Sequence, residues 1–295
     1  MFYSESKVLS PGLTRASAAL FIFFWASGFI SAKFGFPYSE PFTFLALRFG
    51  LAILIMTPLC ILWGAIWPKT SKEIFHVLIA GWLVQTVYLV GVWYSIWLGV
   101  ATGVVALIVG LQPLITGIFS ASFLGERVNS YQWLGLLFGF FGLTLVVTNN
   151  INFFAEQIWS VSLCLFALLG ITFGTFYQRR FCSEVDIRTA VVIQNFGSLF
   201  LILPLALVFE EMAVEWTNEF VFALFWSAVG LSVIAIALFY ILVRNGAAAK
   251  VTSMIYLSPP TTAFMGWLVF DESLSGTVLI GFVFVALGVA LVTRS

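Results

Sequence analysis

Charged residues are scarce in this sequence of 295 residues. Asp, Glu, Lys and Arg make up 9% of the chain, hydrophobic residues make up 61%, and the mean hydropathy is +1.08. Soluble domains carry about 25% charged and about 45–50% apolar residues, so this composition excludes a water-soluble fold and places the chain in a lipid bilayer. The 13 basic and 13 acidic residues cancel, so nothing indicates a nucleic-acid partner.

Residues that support catalysis or metal binding are scarcer still. The single histidine, His76, lies at a predicted cytoplasmic boundary, and no Asp or Glu lies well inside a predicted span. An intramembrane enzyme needs a nucleophile–base pair or metal ligands inside the bundle, so the sequence predicts no enzyme, no metal site and no cofactor. The cysteines have neither metal-ligand spacing nor a CxxC pair. They are Cys60, Cys164 and Cys182.

Long apolar stretches are what the sequence has in abundance. A helix needs about 20 mostly apolar residues to cross about 30 Å of hydrocarbon, and ten such stretches follow one another with short polar breaks. They cover approximately 16–33, 42–63, 75–97, 102–124, 131–149, 158–178, 187–209, 220–243, 249–270 and 276–293. The sequence therefore predicts an all-α integral membrane protein with ten transmembrane helices.

The positions of Lys and Arg predict the orientation of these spans. Positive residues in short loops stay on the cytoplasmic side of a membrane. If residues 1–15 form a cytoplasmic tail, all 13 basic residues fall on that side except Lys33, at the outer end of the first span, and Arg48, inside the second. Both chain termini are therefore predicted to be cytoplasmic.

The chain repeats itself at a constant offset of 146 residues. Agreement of proline, glutamate and glycine at one offset near half the chain length indicates an internal duplication. Five spans in each half place the second half in the opposite orientation, so we predict inverted five-helix repeats over 16–149 and 158–294. Inverted repeats are typical of secondary transporters. The offset pairs Gly28 with Gly174, Thr43 with Thr189, Pro58 with Pro204, Pro113 with Pro259, Glu126 with Glu272 and Gly142 with Gly288.

Several short motifs follow the same repeat. They are Trp25 to Gly28 with Lys33, Pro41 with Arg48-Phe49, Leu111 to Pro113, Phe123 to Arg127, Trp133 to Gly135 with Gly139 and Gly142, and, in the second half, Pro259, Asp271-Glu272 and Gly281. In this order they resemble the drug/metabolite transporter superfamily, specifically its ten-span EamA group. The resemblance covers essentially the whole chain and implies uptake or export of small metabolites, often amino acids or related compounds, across a bacterial inner membrane.

Two prolines, Pro113 and Pro259, lie near the middle of the fourth and ninth predicted spans. A proline inside a helix removes one backbone hydrogen bond and clashes with the carbonyl four residues earlier. Helices broken at the midplane of paired repeats often bind substrate in transporters, so both prolines are candidate helix breaks. The alternative is a kink that only shapes each helix. Gln112, which precedes the first proline, is a candidate substrate contact.

Arg48 lies about seven residues into the second predicted span, roughly 10 Å deep at 1.5 Å per residue. An ionisable group at that depth normally faces the bundle interior or a cavity. Arg48 is a candidate to bind a carboxylate or phosphate of the substrate; the alternative is that it bonds carbonyls of a neighbouring broken helix. Its repeat partner is Gln194, a neutral polar candidate in the second half.

Polar and aromatic residues supply the remaining candidates for substrate binding. In the third span, Gln85 and Tyr88 recur with Gly81 at helical spacing and would present one polar and aromatic stripe. Trp25 and Tyr256 are placed where they would line a cavity and stack on an aromatic or cationic ligand.

Residues near the ends of the spans have simpler interpretations. Glu126 and Glu272 are expected to end helices, and Lys33 is expected to reach the interface or a cavity entrance. Small-residue patterns in the fifth and tenth spans favour close helix packing. We expect this packing to occur within a monomer, with a homodimer as the alternative.

These features predict a secondary transporter that moves a small zwitterionic or anionic metabolite, such as an amino acid, by alternating access. Within this class, the alternative substrate is a nucleoside-like or adenosylated metabolite, favoured by the 18% of aromatic residues. A different class is a polytopic scaffold or receptor, which would need neither a polar interior nor an inverted repeat. The expected partners are the small-molecule substrate and the lipid bilayer.

Overall fold

The computed structural model describes residues 11–112, 115, 130–148, 158–235, 238 and 257–293. Apart from one isolated β-bridge, the regular structure in these ranges is helical. Each helix overlaps one of the apolar stretches expected from the sequence. The helices are α1 (Pro11–Gly35), α2 (Pro41–Leu62), α3 (Ser71–Trp97), α4 (Thr102–Val109), α5 (Ser130–Thr148), α6 (Ile158–Phe181), α7 (Ile187–Phe209), α8 (Asn218–Ala235), α9 (Ser258–Phe270) and α10 (Gly276–Thr293).

Six of these helices, α1, α2, α3, α6, α7 and α8, are long and apolar enough to cross a membrane. That number covers the described residues, which include only parts of the fourth and ninth stretches. Helices α5 and α10 have 19 and 18 residues. The chain is an all-helical, multi-pass membrane protein.

Local sequence explains where several helices begin. Pro41 opens α2, and a proline at the first helical position loses no hydrogen bond because the first amides have no partner inside the helix. Thr70 and Glu73 form a capping box at α3, with the Glu73 amide 3.2 Å from Thr70 Oγ1. Thr217 Oγ1 caps α8 by accepting a bond from the Phe220 amide at 3.2 Å. These caps satisfy amides that the helices leave free.

Helices α3 and α8 each contain a π-helical segment, at Trp82–Val87 and Trp226–Ala235 respectively. The 146-residue offset carries Trp82 onto Ala228, inside the second segment. A π segment inserts an extra residue into a helical turn, changes which side chains face a neighbouring helix, and is frequent at functional sites. The sequence analysis did not predict these segments.

Helices α5 and α10 pack with their backbones in contact. A Cβ atom on Gly142 would lie 2.7 Å from the Gly281 carbonyl oxygen, and one on Gly288 would lie 2.5 Å from the Gly135 carbonyl oxygen. Both distances are too short for a side chain, so the small residues of the two helices serve close packing within one chain.

The largest buried cluster joins α2, α3 and α8 around Phe44. The Phe44 ring centroid lies 4.7 Å from that of Trp93 and 5.0 Å from that of Phe220, and all three side chains are buried. Aromatic rings at these separations add to the free energy of burial. This cluster packs beside the second turn of α2, which contains Arg48.

Candidate functional site

Arg48 is buried, with 4% of its surface exposed. Its Nε donates a hydrogen bond to the Ser227 carbonyl oxygen at 3.2 Å. The guanidinium carbon lies 5.7 Å from the ring centroids of both Phe49 and Trp93. Its Nη1 is buried and has no hydrogen-bond partner among the described residues. The Nε atom therefore holds the guanidinium in place, while Nη1 is left to donate a hydrogen bond to another group.

The π segment of α8 provides the anchor for Arg48, because Ser227 is its second residue. The alternative interpretation of Arg48 was that it bonds carbonyls of a neighbouring broken helix. The hydrogen bond to the Ser227 carbonyl, in a π-helical segment, is a contact of that kind. The bond uses Nε, so it leaves the guanidinium with further donors, since arginine carries five N–H groups. Positioning and ligand binding are thus compatible in the same side chain.

Tyr88 is a second buried candidate residue. It is 8% exposed, follows the π segment of α3 directly, and interacts electrostatically with Arg48. Gln85 lies within that π segment and is half-buried. The polar stripe expected on α3 therefore falls on the part of the helix where its geometry changes.

Gln194 lies where α7 crosses α3. A Cβ atom on Gly81 would lie 2.8 Å from both Cα and Cβ of Gln194, so the two helices approach as closely as a glycine allows. The 146-residue offset carries Arg48 onto Gln194 and Gly81 onto Ser227. The Arg48–Ser227 contact and the Gln194–Gly81 contact therefore occupy equivalent places in the two halves.

Buried polar atoms without a hydrogen-bond partner among the described residues concentrate on α2, α3 and α7. Buried polar groups are normally paired, so these atoms mark places where a ligand or water is expected. Sequence reasoning missed most of them, although the four-residue spacing of Gln194 and Ser198 in an apolar span was a usable signal. The atoms are Arg48 Nη1, Thr57 Oγ1, Thr86 Oγ1, Gln194 Nε2, Asn195 Oδ1 and Ser198 Oγ.

Two other candidates lie apart from Arg48 in their contacts. Gln112 donates a hydrogen bond to Thr175 Oγ1 on α6 at 3.1 Å. Trp25 packs 5.9 Å from the Phe21 ring, in a small cluster between α1 and α8. Tyr256 lies outside the described residues, as do Pro113 and Glu126. Among the candidates, Tyr88 interacts electrostatically with Arg48, and Gln194 lies at the crossing that corresponds to the Arg48–Ser227 contact.

The breaks in the fourth and ninth stretches meet each other. Helix α4 ends at Val109, and Gly110 follows in a turn. A Cβ atom on Gly110 would lie 2.8 Å from Pro259 Cγ. From the sequence, Pro259 is a candidate helix break near the middle of the ninth stretch. In the described range the helix starts at Ser258, and Pro259 stands in its first turn, where a missing N–H disrupts nothing.

At one end of the bundle, a polar network links three helix termini. Lys33 Nζ lies 2.7 Å from Glu272 Oε1, and the Glu272 carboxylate also accepts bonds from the Thr102 amide at 3.0 and 3.1 Å and from Thr102 Oγ1 at 2.9 Å. Both residues lie at helix ends, Lys33 in the last turn of α1 and Glu272 just after α9. The structure adds that Glu272 caps the start of α4 and that Lys33 pairs with it.

A second carboxylate at the same end caps α2. Glu210 accepts hydrogen bonds from the Phe42 amide at 2.8 Å, from the Thr43 amide and hydroxyl at 2.7 Å, and from the Tyr94 hydroxyl at 3.0 Å. A carboxylate at a helix N-terminus is stabilised by the free amides and the helix dipole. We call the Lys33–Glu272–Thr102 and Glu210–Thr43–Tyr94 networks together the rim.

At the opposite end of the bundle, Asp186 caps α7. Burial by itself raises the pKa of the Asp186 carboxyl. Hydrogen bonds from the Arg188 side chain and from the Ile66 and Arg188 amides, with the charge of Arg188, outweigh burial and lower this pKa below its ordinary value of 3.8. Asp186 is therefore ionised and fully used in structural bonds.

A cavity of about 430 Å³ lies between α2 and α8, with Trp216, in the loop before α8, at its edge. Its lining is apolar and does not include Arg48, so it offers no group to recognise a polar ligand. In the described part of the chain, no three His, Cys, Asp or Glu side chains are grouped to hold a metal ion. The lining residues are Ala46, Leu47, Gly50, Leu51, Leu54, Trp216, Val221, Leu224 and Phe225.

Comparisons with known proteins agree with this architecture. The chain is 25% identical to the uncharacterized transporter YvbV of Bacillus subtilis over 97% of this chain and 93% of the relative. It is 24% identical to the uncharacterized inner membrane transporter YedA of Escherichia coli K12, over 95% and 90%. A solved crystal structure superposes with a TM-score of 0.69 at 16% identity, covering 96% of each chain, which shows a shared fold. The model of the EamA-like transporter family matches residues 15–148 and again 158–294, so the chain belongs to that family.

Proposed function

We propose that this protein is a ten-span secondary transporter that moves a small carboxylate-bearing metabolite, an amino acid or a related compound, by alternating access. Its place is the bacterial inner membrane, with both termini cytoplasmic. The observation that carries the proposal is Arg48, a buried arginine anchored through Nε with Nη1 left unpartnered among the described residues. The relatives' description as transporters supports the general class.

The pattern of helix contacts supports two inverted five-helix halves. If α1–α5 correspond to α6–α10, the contact of α2 with α8 corresponds to that of α7 with α3. The contact of α1 with α8 corresponds to that of α6 with α3, and the contact of α1 with α9 to that of α6 with α4. Two halves related in this way can exchange conformations and so expose a central site to either side.

The rim supports a conformation that is closed at the outer side. Besides the Lys33–Glu272 pair, the Glu215 amide donates to the Tyr38 carbonyl oxygen at 2.9 Å, and a β-bridge joins Ser39 to Val214. These bonds all connect residues of the first half with residues of the second. Opening toward the outside therefore requires them to separate, which makes the rim a natural outer gate in the proposed cycle.

The charge distribution favours an anionic group on the substrate. A buried arginine is costly in a membrane, on the order of 2.5–3.5 kcal/mol on insertion scales, and a carboxylate offsets that cost with charge-assisted hydrogen bonds. No Asp or Glu lies within α2, α3 or α7, the helices that hold the unpartnered polar atoms, except Glu73 in the first turn of α3. This region therefore has no carboxylate of its own near Arg48, and a carboxylate of the substrate would supply one.

The test starts with a thermal-shift screen of the detergent-purified protein against amino acids, nucleosides and adenosylated metabolites. A ligand that binds the folded state raises its apparent stability by mass action. Hits are then assayed for flux in liposomes. We expect carboxylate-bearing hits to lose about tenfold or more in affinity in Arg48→Gln, since a bond to a charged group contributes about 1.5–3 kcal/mol.

The matched control is Arg179→Gln, which removes a charge from the exposed end of α6 and should leave binding unchanged. Unaltered binding and flux in a folded Arg48→Gln protein would overturn the proposed substrate contact. Binding of ligands without any flux would favour a receptor or scaffold. Stabilisation by nucleosides or adenosylated compounds alone would favour the alternative substrate class.

A further inference from the structure

Gly50 stands in the middle of α2 without a packing reason. A glycine inside a helix is destabilising relative to alanine, and membrane helices use it where two backbones approach closely. Gly81, Gly91 and Gly142 follow that rule, since a Cβ atom on each would lie 2.8, 2.5 and 2.7 Å from a neighbouring atom. A Cβ atom on Gly50 would meet no heavy atom of the described residues within 4 Å. The 146-residue offset carries Gly50 onto Phe196, which is 62% exposed, so the second half has a large side chain where the first half has none.

Gly50 lines the cavity of about 430 Å³ between α2 and α8. Several apolar side chains of this cavity face away from the bundle, with Leu54, Val221 and Phe225 exposed by 72%, 43% and 54%. In a membrane-embedded chain such side chains contact hydrocarbon, because the bilayer core holds no water. The cavity is therefore a groove that opens on the lipid chains of the bilayer.

The shape of this groove suits one acyl chain. Burial against a helix gives a lipid chain no hydrophobic gain inside a bilayer, so a chain that stays bound must gain from close packing. Helices α2 and α8 form two walls, and the missing side chain at Gly50 lets a chain reach the backbone of α2. Dispersion attraction falls steeply when a gap opens between atoms. A chain seated at Gly50 therefore keeps contacts that a chain passing over a flush helix surface lacks.

The segment beside one end of the groove is acidic. Trp216 lines the groove there, Glu215 directly precedes it, and Glu219 lies in the first turn of α8; both carboxylates belong to exposed residues. The segment between α7 and α8 contains no Lys or Arg, and Lys33 at this end of the bundle is paired with Glu272. Tryptophan is typical of the level of the lipid headgroups. The uncompensated carboxylates attract a headgroup that carries an ammonium and repel an anionic one.

We propose that this groove binds one acyl chain of a phosphatidylethanolamine molecule of the bilayer, with the headgroup ammonium beside the Glu215 and Glu219 carboxylates. Leu47 lines the groove and directly precedes Arg48, so the lipid packs against the part of α2 that carries this arginine. The bound lipid stabilises the contact of α2 with α8 from the outside of the bundle. This lipid site is separate from the proposed substrate site, because Arg48 does not line the groove.

The experiment measures lipid binding by the full-length protein in detergent. Dioleoyl phosphatidylethanolamine and dioleoyl phosphatidylglycerol, which have identical acyl chains, are each titrated into mixed micelles. Native mass spectrometry counts the bound lipids, and thermal unfolding gives the apparent Tm. We expect phosphatidylethanolamine to bind about threefold or more tightly than phosphatidylglycerol, because the acidic segment attracts one headgroup and repels the other. Saturation with phosphatidylethanolamine should raise the apparent Tm by about 3 °C or more.

The acyl-chain contact is tested by filling the groove. Gly50→Phe gives the first half the residue type found at Phe196 and should weaken binding of phosphatidylethanolamine about tenfold or more. The smaller change Gly50→Leu should weaken it about threefold, which keeps a test available if the larger ring disturbs folding. The matched control is Gly276→Phe, at an exposed glycine outside the groove where a Cβ atom also meets no described heavy atom within 4 Å. This control should bind the lipid as the unmodified protein does.

The headgroup contact is tested by removing the charges. Glu215→Gln combined with Glu219→Gln should make the affinities for the two lipids equal, whereas Glu184→Gln, at an exposed turn between α6 and α7, should keep the preference. Unchanged lipid binding in folded Gly50→Phe and Gly50→Leu would refute the groove as the site. Equal or tighter binding of phosphatidylglycerol by the unmodified protein, or no bound lipid in native mass spectra, would also refute the proposal.

Discussion

Polar groups are paired by hydrogen bonds at the rim, whereas several in the interior of the bundle are unpaired among the described residues. At the rim, the Glu272 and Glu210 carboxylates each accept several hydrogen bonds, and every one of those bonds joins different helices or loops. In the interior, Arg48 Nη1 and the α7 oxygens are buried without a partner among the described residues. The difference agrees with the proposed function, in which the rim is a structural seal and a bound ligand would pair with the interior polar groups.

The largest expected effect is the loss of a rim carboxylate. Glu272→Ala leaves Lys33 unpaired and uncaps α4, so the free energy of unfolding should fall by about 3 kcal/mol, as for other broken, partly buried ion pairs. The measurement is reversible unfolding in mixed micelles. Glu184→Ala, at an exposed turn between α6 and α7, should change the same quantity by less than about 0.5 kcal/mol. Equal effects of the two variants would remove the distinction between the rim and an ordinary surface.

Removing a polar group from the interior should raise the free energy of unfolding instead of lowering it. Arg48→Met removes a buried charge that the protein only partly satisfies, so the free energy of unfolding without ligand should rise by about 2 kcal/mol, while flux is lost. The same unfolding assay and the liposome assay check the two effects. A destabilised Arg48→Met protein would mean that the Arg48–Ser227 bond matters more than the desolvated charge, and that Arg48 is a structural residue.

A smaller effect is expected at the second rim network. Tyr94→Phe removes one hydrogen bond to the Glu210 carboxylate but keeps the ring, which packs 4.7 Å from Phe42. The free energy of unfolding should fall by about 1.5 kcal/mol, the value for a bond to a charged acceptor. Thr57→Val removes an interior hydroxyl of similar burial. In the same assay this substitution should not lower the free energy of unfolding. Destabilisation of both by the same amount would contradict the contrast between rim and interior.

The smallest effect concerns pH. Because the folded state lowers the pKa of Asp186, this carboxyl stabilises the protein above its unfolded pKa of about 3.9. That contribution is lost as the pH falls through the folded pKa, below 3.9. Unfolding measured from about pH 6 to about pH 2 should show this loss, and Asp186→Asn should flatten the slope. An unchanged slope in Asp186→Asn would assign the acid sensitivity to other carboxylates.

Hydrophobic length predicted the positions of several helices well. The stretch 42–63 was expected as a span and α2 covers Pro41–Leu62; the stretch 187–209 corresponds to α7. Each of these segments can be predicted as a membrane span without knowledge of its neighbours, because length and hydropathy of the segment itself are sufficient.

The π segments and the partners of polar groups were not predictable in this way. Lys33 and Glu272 are 239 residues apart, and Glu210 caps a helix 167 residues before it. Their bonds depend on how the two halves pack. The change to π geometry at Trp82–Val87 likewise leaves no mark in hydropathy, because the residues of a π segment and of an α-helix are equally apolar.

The amino-acid sequence by itself determined that this chain is helical and membrane-embedded, and that its two halves share a pattern offset by 146 residues. These properties depend on the local hydropathy and spacing of residues. Only the tertiary structure decided that Arg48 is anchored to Ser227 and that Gln194 packs on Gly81. It also decided that Asn195 Oδ1 and Ser198 Oγ have no hydrogen-bond partner within the described ranges. Hydrogen-bond satisfaction depends on the neighbouring helices, and those neighbours are set by long-range packing.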